Sequence, residues 1–377
     1  MANEANNETR SIGMHAAQVR APGKARGARS HLQGRFETLA REAFDDGWGA
    51  ADEAPSTLQT TVTEERARSI IQRNDSPDLP FELTINPYRG CEHGCIYCYA
   101  RPSHAYLELS PGLDFESRLF AKLNAVDLLR EELARPGYRP SPIALGANTD
   151  CYQPIERRYR ITRSLIELLV ECHHPLTIVT KSALVERDLD LLGPLGRSNL
   201  AKVFVSLGTL DRALARRLEP RAASPQRRLD TIRALAGAGV PVGVMLAPVI
   251  PALSDKSVEE SLEAAAAAGA RMAGYQLMRL PNELKTLFRE WLAAHYPLRA
   301  EHVMSIVREL RGGRDNDPRF GTRMTGTGTY AELLAKRFEI ACRRLGLNGA
   351  ERGTRVRREL DCTRFRPPSP PGQMQLF

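Results

Sequence analysis

Between residues 80 and 298, strand-like and helix-like runs alternate six times, and no other feature of the chain restricts its fold as strongly. Segments 81–86, 142–145, 176–180, 202–207, 241–246 and 274–278 are short and apolar, several with β-branched residues, as strands are. Helical spacing fills the gaps. Leu119, Leu123, Val126, Leu129 and Leu133 recur every three or four residues, and segments 162–172, 184–192, 211–218, 226–236, 257–268 and 283–295 read as helices. Ser257 and Glu260 have the spacing of a capping box. Strands joined by helix-length returns run parallel, because a hairpin cannot connect them. Six such units fall short of the eight that close a TIM barrel. The expected fold is α/β, a partial (β/α)6 barrel.

The flanks differ in composition. Residues 1–76 read as a disordered basic arm and linker: between Arg10 and Arg35 there are six basic residues and no acid, and a short helical and linker prelude covers 36–76. Residues 77–298 are the barrel. Residues 299–366 form an extension, with a helix at 300–311, a Gly/Arg-rich loop to 329 and a last helix at 330–345; residues 367–377 are proline-rich, then apolar. The net charge is +8, and 46 of the 53 basic residues are arginine, the side chain suited to phosphate. No apolar run reaches the ~20 residues of a membrane helix, and the first eight residues lack a secretory core, so the expected location is cytoplasmic.

Tyr88-Arg-Gly-Cys91-Glu-His-Gly-Cys95-Ile-Tyr-Cys98-Tyr-Ala-Arg101 follows the first strand directly. Three of the seven cysteines fall within eight residues, and an odd total makes a poor disulfide framework. Three thiolates complete neither an all-cysteine zinc site nor a fully ligated iron–sulfur cluster, each of which takes four ligands. A four-iron cluster would keep one iron open. Zinc, with His93 as fourth ligand, is the competing reading, although His93 lies between two of the cysteines.

This CxxxCxxC motif, with its aromatic residues and ahead of alternating β/α units, resembles the radical S-adenosylmethionine (radical SAM) superfamily; the Asn-Pro-Tyr-Arg-Gly-Cys opening is similar to the spore photoproduct lyase-like branch. The resemblance implies that Cys91, Cys95 and Cys98 hold a [4Fe-4S] cluster whose open iron chelates S-adenosylmethionine. It implies reductive cleavage to a 5′-deoxyadenosyl radical that abstracts hydrogen from a substrate, with flavodoxin or ferredoxin as electron donor. It also implies a cofactor site at the strand ends: Tyr97 and Tyr99 beside adenine, Asn148 and Thr149 after the second strand, Lys181 on the methionyl carboxylate, Ser206 on ribose, and the Ala247 backbone on adenine. The Gly-Gly-Glu found in many members after the second strand is absent here; the chain has Gly-Ala-Asn.

The branch adds a thiol hydrogen donor, for which Cys151 is the candidate; Cys172, Cys342 and Cys362 read as structural. DNA repair or modification is the expected activity, with a small molecule or protein as the alternative substrate. A zinc-binding DNA adaptor without chemistry and an electron carrier are the alternatives of other classes. Arg311, Arg319 and Arg323 in the Gly/Arg loop, and a second run from Arg352 to Arg366, could meet a polyanion. Gln373-Met-Gln-Leu376-Phe377 resembles the pentapeptide that docks on the bacterial sliding clamp, here on a proline-stiffened tether.

Overall fold

The structure, a computed structural model, describes residues 26–37, 58–349 and 359–368. Ten strands are present among them: β1 (Thr61–Glu65), β2 (Ile71–Arg73), β3 (Leu83–Ile85), β4 (Tyr88–Arg89), β5 (Arg118–Lys122), β6 (Ile143–Leu145), β7 (Leu176–Thr180), β8 (Ala201–Ser206), β9 (Val242–Val249) and β10 (Met272–Leu277). Six of these, β3 and β6 to β10, pair in parallel in strictly sequential order. Sequential order has no switch point, so the sheet curls in one sense as a barrel wall does. It does not close. The antiparallel β2 is added outside β3, and β10 is the opposite edge. The partial (β/α)6 barrel is therefore the observed fold.

Both edges are covered. At β10, the Asn348 amide brackets Ala273, donating to its carbonyl at 3.0 Å and accepting its N–H at 2.8 Å. The Met324 carbonyl takes the Leu277 N–H at 2.9 Å. Beside β2, the Glu132 carboxylate accepts the N–H groups of Ile70 and Ile71. An edge left bare would template pairing with another chain. The extension supports this cover: its helix Thr329–Arg344 is ion-paired to helix Val258–Ala267 through Arg337 and Glu259, and Phe338 packs on Tyr275 of β10 at 4.7 Å.

A small cluster of Cys91, Ala100 and Phe115 and two large apolar cores result among the described residues. The larger fills the barrel and the inner faces of its helices. The smaller joins helix Leu284–His295, which buries Leu284, Leu287, Phe288, Trp291 and Leu292, to Cys95, Ile96 and Tyr97 of the cysteine motif. That i, i+3, i+4, i+7, i+8 stripe is what packs the sixth helix onto the motif.

Several expectations are corrected. Residues 118–122, read as the start of a helix from their leucine spacing, form β5, pinned between β1 and β4; the helix is Ala125–Leu133. Tertiary pairing overrides the local period there. Residues 26–37, assigned to a disordered arm, are packed: Ala28 is buried, and the Gly27 and Ala28 N–H groups donate to Glu116. Within the supposed prelude, 61–65 and 71–73 are strands. The capping box does not form. Ser257, at φ −105° and ψ 20°, ends a 3-10 turn, caps no backbone N–H with its side chain, and donates its hydroxyl to the Ser254 carbonyl. Segment 184–192 is a 3-10 turn leading into helix Leu189–Arg197. The second basic run lies outside the described residues between 350 and 358, as do Gln373, Leu376 and Phe377. No helix among the described residues is long and apolar enough to cross a membrane.

Candidate functional site

The cysteine loop begins at β4, whose pairing with β5 holds Tyr88 and Arg89, and lies beyond the C-terminal end of β3. Two tight turns set its path. The Gly94 N–H reaches the Cys91 carbonyl at 3.3 Å, and the Cys98 N–H reaches that of Cys95 at 3.2 Å. Gly94 has φ +67° and lies so close to the Glu116 carboxylate that a Cβ would stand 2.6 Å from it. Only glycine satisfies both demands.

Arg101 fixes the loop from behind. Fully buried, it donates to the carbonyls of Cys95 (2.9 Å), Gly94 (3.2 Å), Pro111 (3.2 Å) and Gly112 (2.9 Å), and to the Glu116 carboxylate. All five guanidinium N–H groups are engaged. On the other side, the Gln153 amide clamps the loop by donating to the Gly90 carbonyl and accepting the Glu92 N–H. Glu92 in turn takes Arg221 at 2.6 Å.

Cys91 and Cys95 are buried, Cys98 is half-buried, and all three are free thiols. Burial pushes the Cys91 thiol up, and the Asp150 carboxylate and the neighbouring thiols Cys95 and Cys98 push it further. Burial raises Cys95 as well, while the Lys181 and Arg228 charges pull it back. Such thiols ionise when a metal takes the place of their protons. Among the described residues no three His, Cys, Asp or Glu side chains already stand in ligating geometry, so the loop offers donors on a fixed backbone rather than a finished chelate. Three thiols that feel one another's charge, two nearby cations and a backbone saturated with hydrogen bonds fit an iron–sulfur cluster.

Around the thiols the strand ends contribute a charged layer. Burial alone would raise the Asp150 carboxyl; His93 at 3.3 Å, the Lys181 N–H at 2.7 Å and the Lys181 charge outweigh it and hold the group at about 2. Lys181, after β7, places its ammonium 5.9 Å from the centre of the Tyr97 ring. The Tyr97 hydroxyl donates to Glu219, which Arg228 also engages, and Arg228 donates to the Ser206 carbonyl at 2.9 Å. Tyr97, Lys181 and Ser206 are thus brought together.

The other expected residues are distributed as follows. Asn148 and Thr149 are held after β6 by the Asn86 side chain, which accepts both of their N–H groups; the buried Thr149 hydroxyl donates to the Tyr88 carbonyl at 2.9 Å, so it ties loops together. The Tyr99 hydroxyl donates to the Ala147 carbonyl. Ala247 belongs to β9, which runs on to Val249, rather than following the strand. Cys151 is fully buried in the main core; its sulfur lies beside Gly146, its carbonyl accepts the Thr162 hydroxyl, and burial pushes its thiol up. That is the setting of a packed core thiol.

Arg101, Glu116, Asn86, Gln153, Glu219 and Arg228 have no role in the sequence-based site. Asn86 opens the Asn-Pro-Tyr-Arg-Gly-Cys stretch, but only the fold shows that its side chain holds the loop after β6. The rest become neighbours only through the fold.

A parallel half-barrel with a three-thiol loop at the C-terminal ends of its strands defines a class of cofactor-dependent enzyme. Comparison names it: the Radical SAM superfamily is matched by residues 85–265. An uncharacterised protein of Mycobacterium tuberculosis, Rv2578c, is 41% identical over 234 residues, covering 62% of this chain and 68% of that protein. An uncharacterised protein of Methanocaldococcus jannaschii, MJ0683, is 29% identical over 174 residues, covering 46% and 62%. Among solved structures, a spore photoproduct lyase mutant with bound AdoMet and dinucleoside spore photoproduct superposes with a TM-score of 0.56 at 18% identity, over 76% of this chain and 80% of that one; at that identity the likeness is one of fold. The chain belongs to the radical SAM superfamily and is a radical SAM enzyme.

Proposed function

We propose that Cys91, Cys95 and Cys98 hold a [4Fe-4S] cluster, that S-adenosylmethionine is cleaved there, and that the substrate is a nucleic acid undergoing lesion repair or modification. The observation that carries the reading is the cysteine loop itself: two buried thiols and a half-buried third at the ends of parallel strands, on a backbone locked by Arg101, Gln153 and two glycines. When bound, the cluster supplies the electron that breaks the sulfonium C–S bond of the cofactor.

The chain's own residues then bind and orient. The Lys181 ammonium takes the methionyl carboxylate, and Asn148, on the loop after the adjacent strand β6, takes the amino end. The Tyr97 ring, its hydroxyl held by Glu219, makes a wall for adenine, and β9 offers backbone groups at Ala247, two residues before its end, to the same base. Ser206 lies within reach of ribose. The net charge of +8 and the fold shared with a spore photoproduct lyase carrying a dinucleoside lesion support a nucleic acid over a small molecule or protein. Flavodoxin or ferredoxin would deliver the electron, and the tail Gln373, Leu376 and Phe377 would tether the enzyme to a sliding clamp. Reconstituted without air and given dithionite, the protein should release 5′-deoxyadenosine from S-adenosylmethionine, and deuterium from a labelled lesion-bearing oligonucleotide should enter that product. Release without label transfer from any nucleic acid would overturn the substrate assignment.

A further inference from the structure

Where the barrel mouth meets the C-terminal extension, two rings flank a pair of guanidiniums. Tyr99, next to Cys98, is 43% exposed. The Arg279 guanidinium, just beyond β10, lies 5.9 Å from the centre of that ring. Among the described residues, Arg279 Nε is buried without a hydrogen-bond partner, and its Nη1 reaches only the Met324 sulfur, at 3.7 Å. Burial and then the nearby Arg323 charge push the Arg279 pKa down, while Tyr99 and the Asp78 carboxylate push it part of the way back. Arg323 is paired with Asp78 at 2.6 Å and stands 4.4 Å from the centre of the Phe320 ring, which is 58% exposed. Beside them a cavity of about 420 Å³ is lined by Arg311, Arg314 and Arg319, with Asp317 as its one acid.

A half-buried guanidinium with a like charge beside it and an unsatisfied donor is unfavourable until an anion arrives. The rings add a second requirement: the ligand must carry flat faces as well as negative charge. A lone carboxylate meets only the first. A nucleic acid strand meets both, since phosphates pair with arginine and every base has a stacking face.

We propose that Tyr99, Arg279, Arg323 and Phe320 form a track for single-stranded nucleic acid, with the Arg279 guanidinium on a backbone phosphate and bases stacked against the two rings. This rests on the nucleic-acid reading above and extends it by naming the residues that grip the strand. Because the track begins at the residue after Cys98, a strand lying on it brings one nucleotide to the barrel mouth.

The test is fluorescence anisotropy of the anaerobically reconstituted holoenzyme with a labelled eight-nucleotide oligothymidine, over a range of salt, with S-adenosylmethionine binding measured in parallel. Arg279→Gln should weaken oligonucleotide binding about tenfold and lower the salt slope by about 0.7, the share of one single-strand phosphate. Phe320→Ala, at a ring too exposed to support the fold, should weaken it about five- to tenfold. Binding by both variants within twofold of the unaltered enzyme would overturn the proposal. So would an Arg279→Gln effect confined to S-adenosylmethionine, which would make Arg279 a partner of the cofactor carboxylate. Cofactor cleavage by an enzyme that binds no oligonucleotide would remove the track and the nucleic-acid substrate together and leave the radical chemistry standing.

Discussion

Arg101 has every donor satisfied and no exposure, so its loss cannot be repaired by water. Arg101→Met should cost about 3–5 kcal/mol in urea unfolding, because the Glu116 carboxylate would remain buried with only the Gly27 and Ala28 N–H groups on it, the Arg26 guanidinium reaching only the Glu116 carbonyl. Iron loading per chain should fall in the same variant, since the Gly94 and Cys95 carbonyls lose their anchor. A second residue-scale consequence concerns acid. Buried His104 and His174 have pKa values lowered by burial to about 4, and each ring already serves a neutral contact: His104 Nε2 with the Arg118 carbonyl, and His174 with Pro175 and Tyr138. The unfolded chain takes up these protons from about pH 6.5, the folded one only near pH 4, so stability is full above the first value and lost as pH falls toward the second. Each histidine should contribute a loss on the order of 3 kcal/mol across that window. In denaturation midpoints recorded from pH 7 to 4, His174→Gln should flatten the decline by about half; an unchanged decline would show that other groups govern it.

At the scale of elements, the open sheet survives because each edge has its own cover. Asn348→Ala would strip both bonds from Ala273 on β10, lower stability by about 1–2 kcal/mol in chemical denaturation, and raise aggregation measured by light scattering. The six parallel strands were readable in the chain because each is a short apolar run set off by helix-length periodicity, and β7 spans the residues its β-branched pattern marks. β5 was not readable: its leucine spacing is helical, and only β1 and β4 on either side make it a strand. The edge covers were equally hidden, since Asn348 and Met324 meet β10 across long sequence separations. The site divides in the same way. Three thiols packed into eight residues, and Lys181 directly after an apolar strand, are local patterns. The Arg101–Glu116 and Tyr97–Glu219–Arg228 networks join residues that no local pattern connects.

Across the whole molecule, the two ends of the barrel carry different tasks. The cysteine loop, Lys181 and the Tyr99–Arg279 track lie where the strands end. The segment 359–368 lies where β7 and β8 begin: the Arg366 N–H donates to the Cys172 carbonyl, the Asp361 N–H donates to that of Asn199, and Phe365 packs on Tyr138 and His174. The last described residue, Pro368, ends that segment, and the clamp-like pentapeptide lies outside the described residues. A peptide of residues 368–377 should bind a bacterial sliding clamp with a Kd of about 1 μM, near −8 kcal/mol, by calorimetry; absence of heat at saturating clamp would remove that partner. The central claim, three thiolates with one metal corner left for the cofactor, is tested most directly by electron paramagnetic resonance of the anaerobically reconstituted, reduced protein. Four irons per chain, a reduced-cluster signal that shifts when S-adenosylmethionine is added, and loss of both in Cys95→Ala are the expected results. A colourless protein holding one zinc, or a cluster signal indifferent to the cofactor, would contradict it.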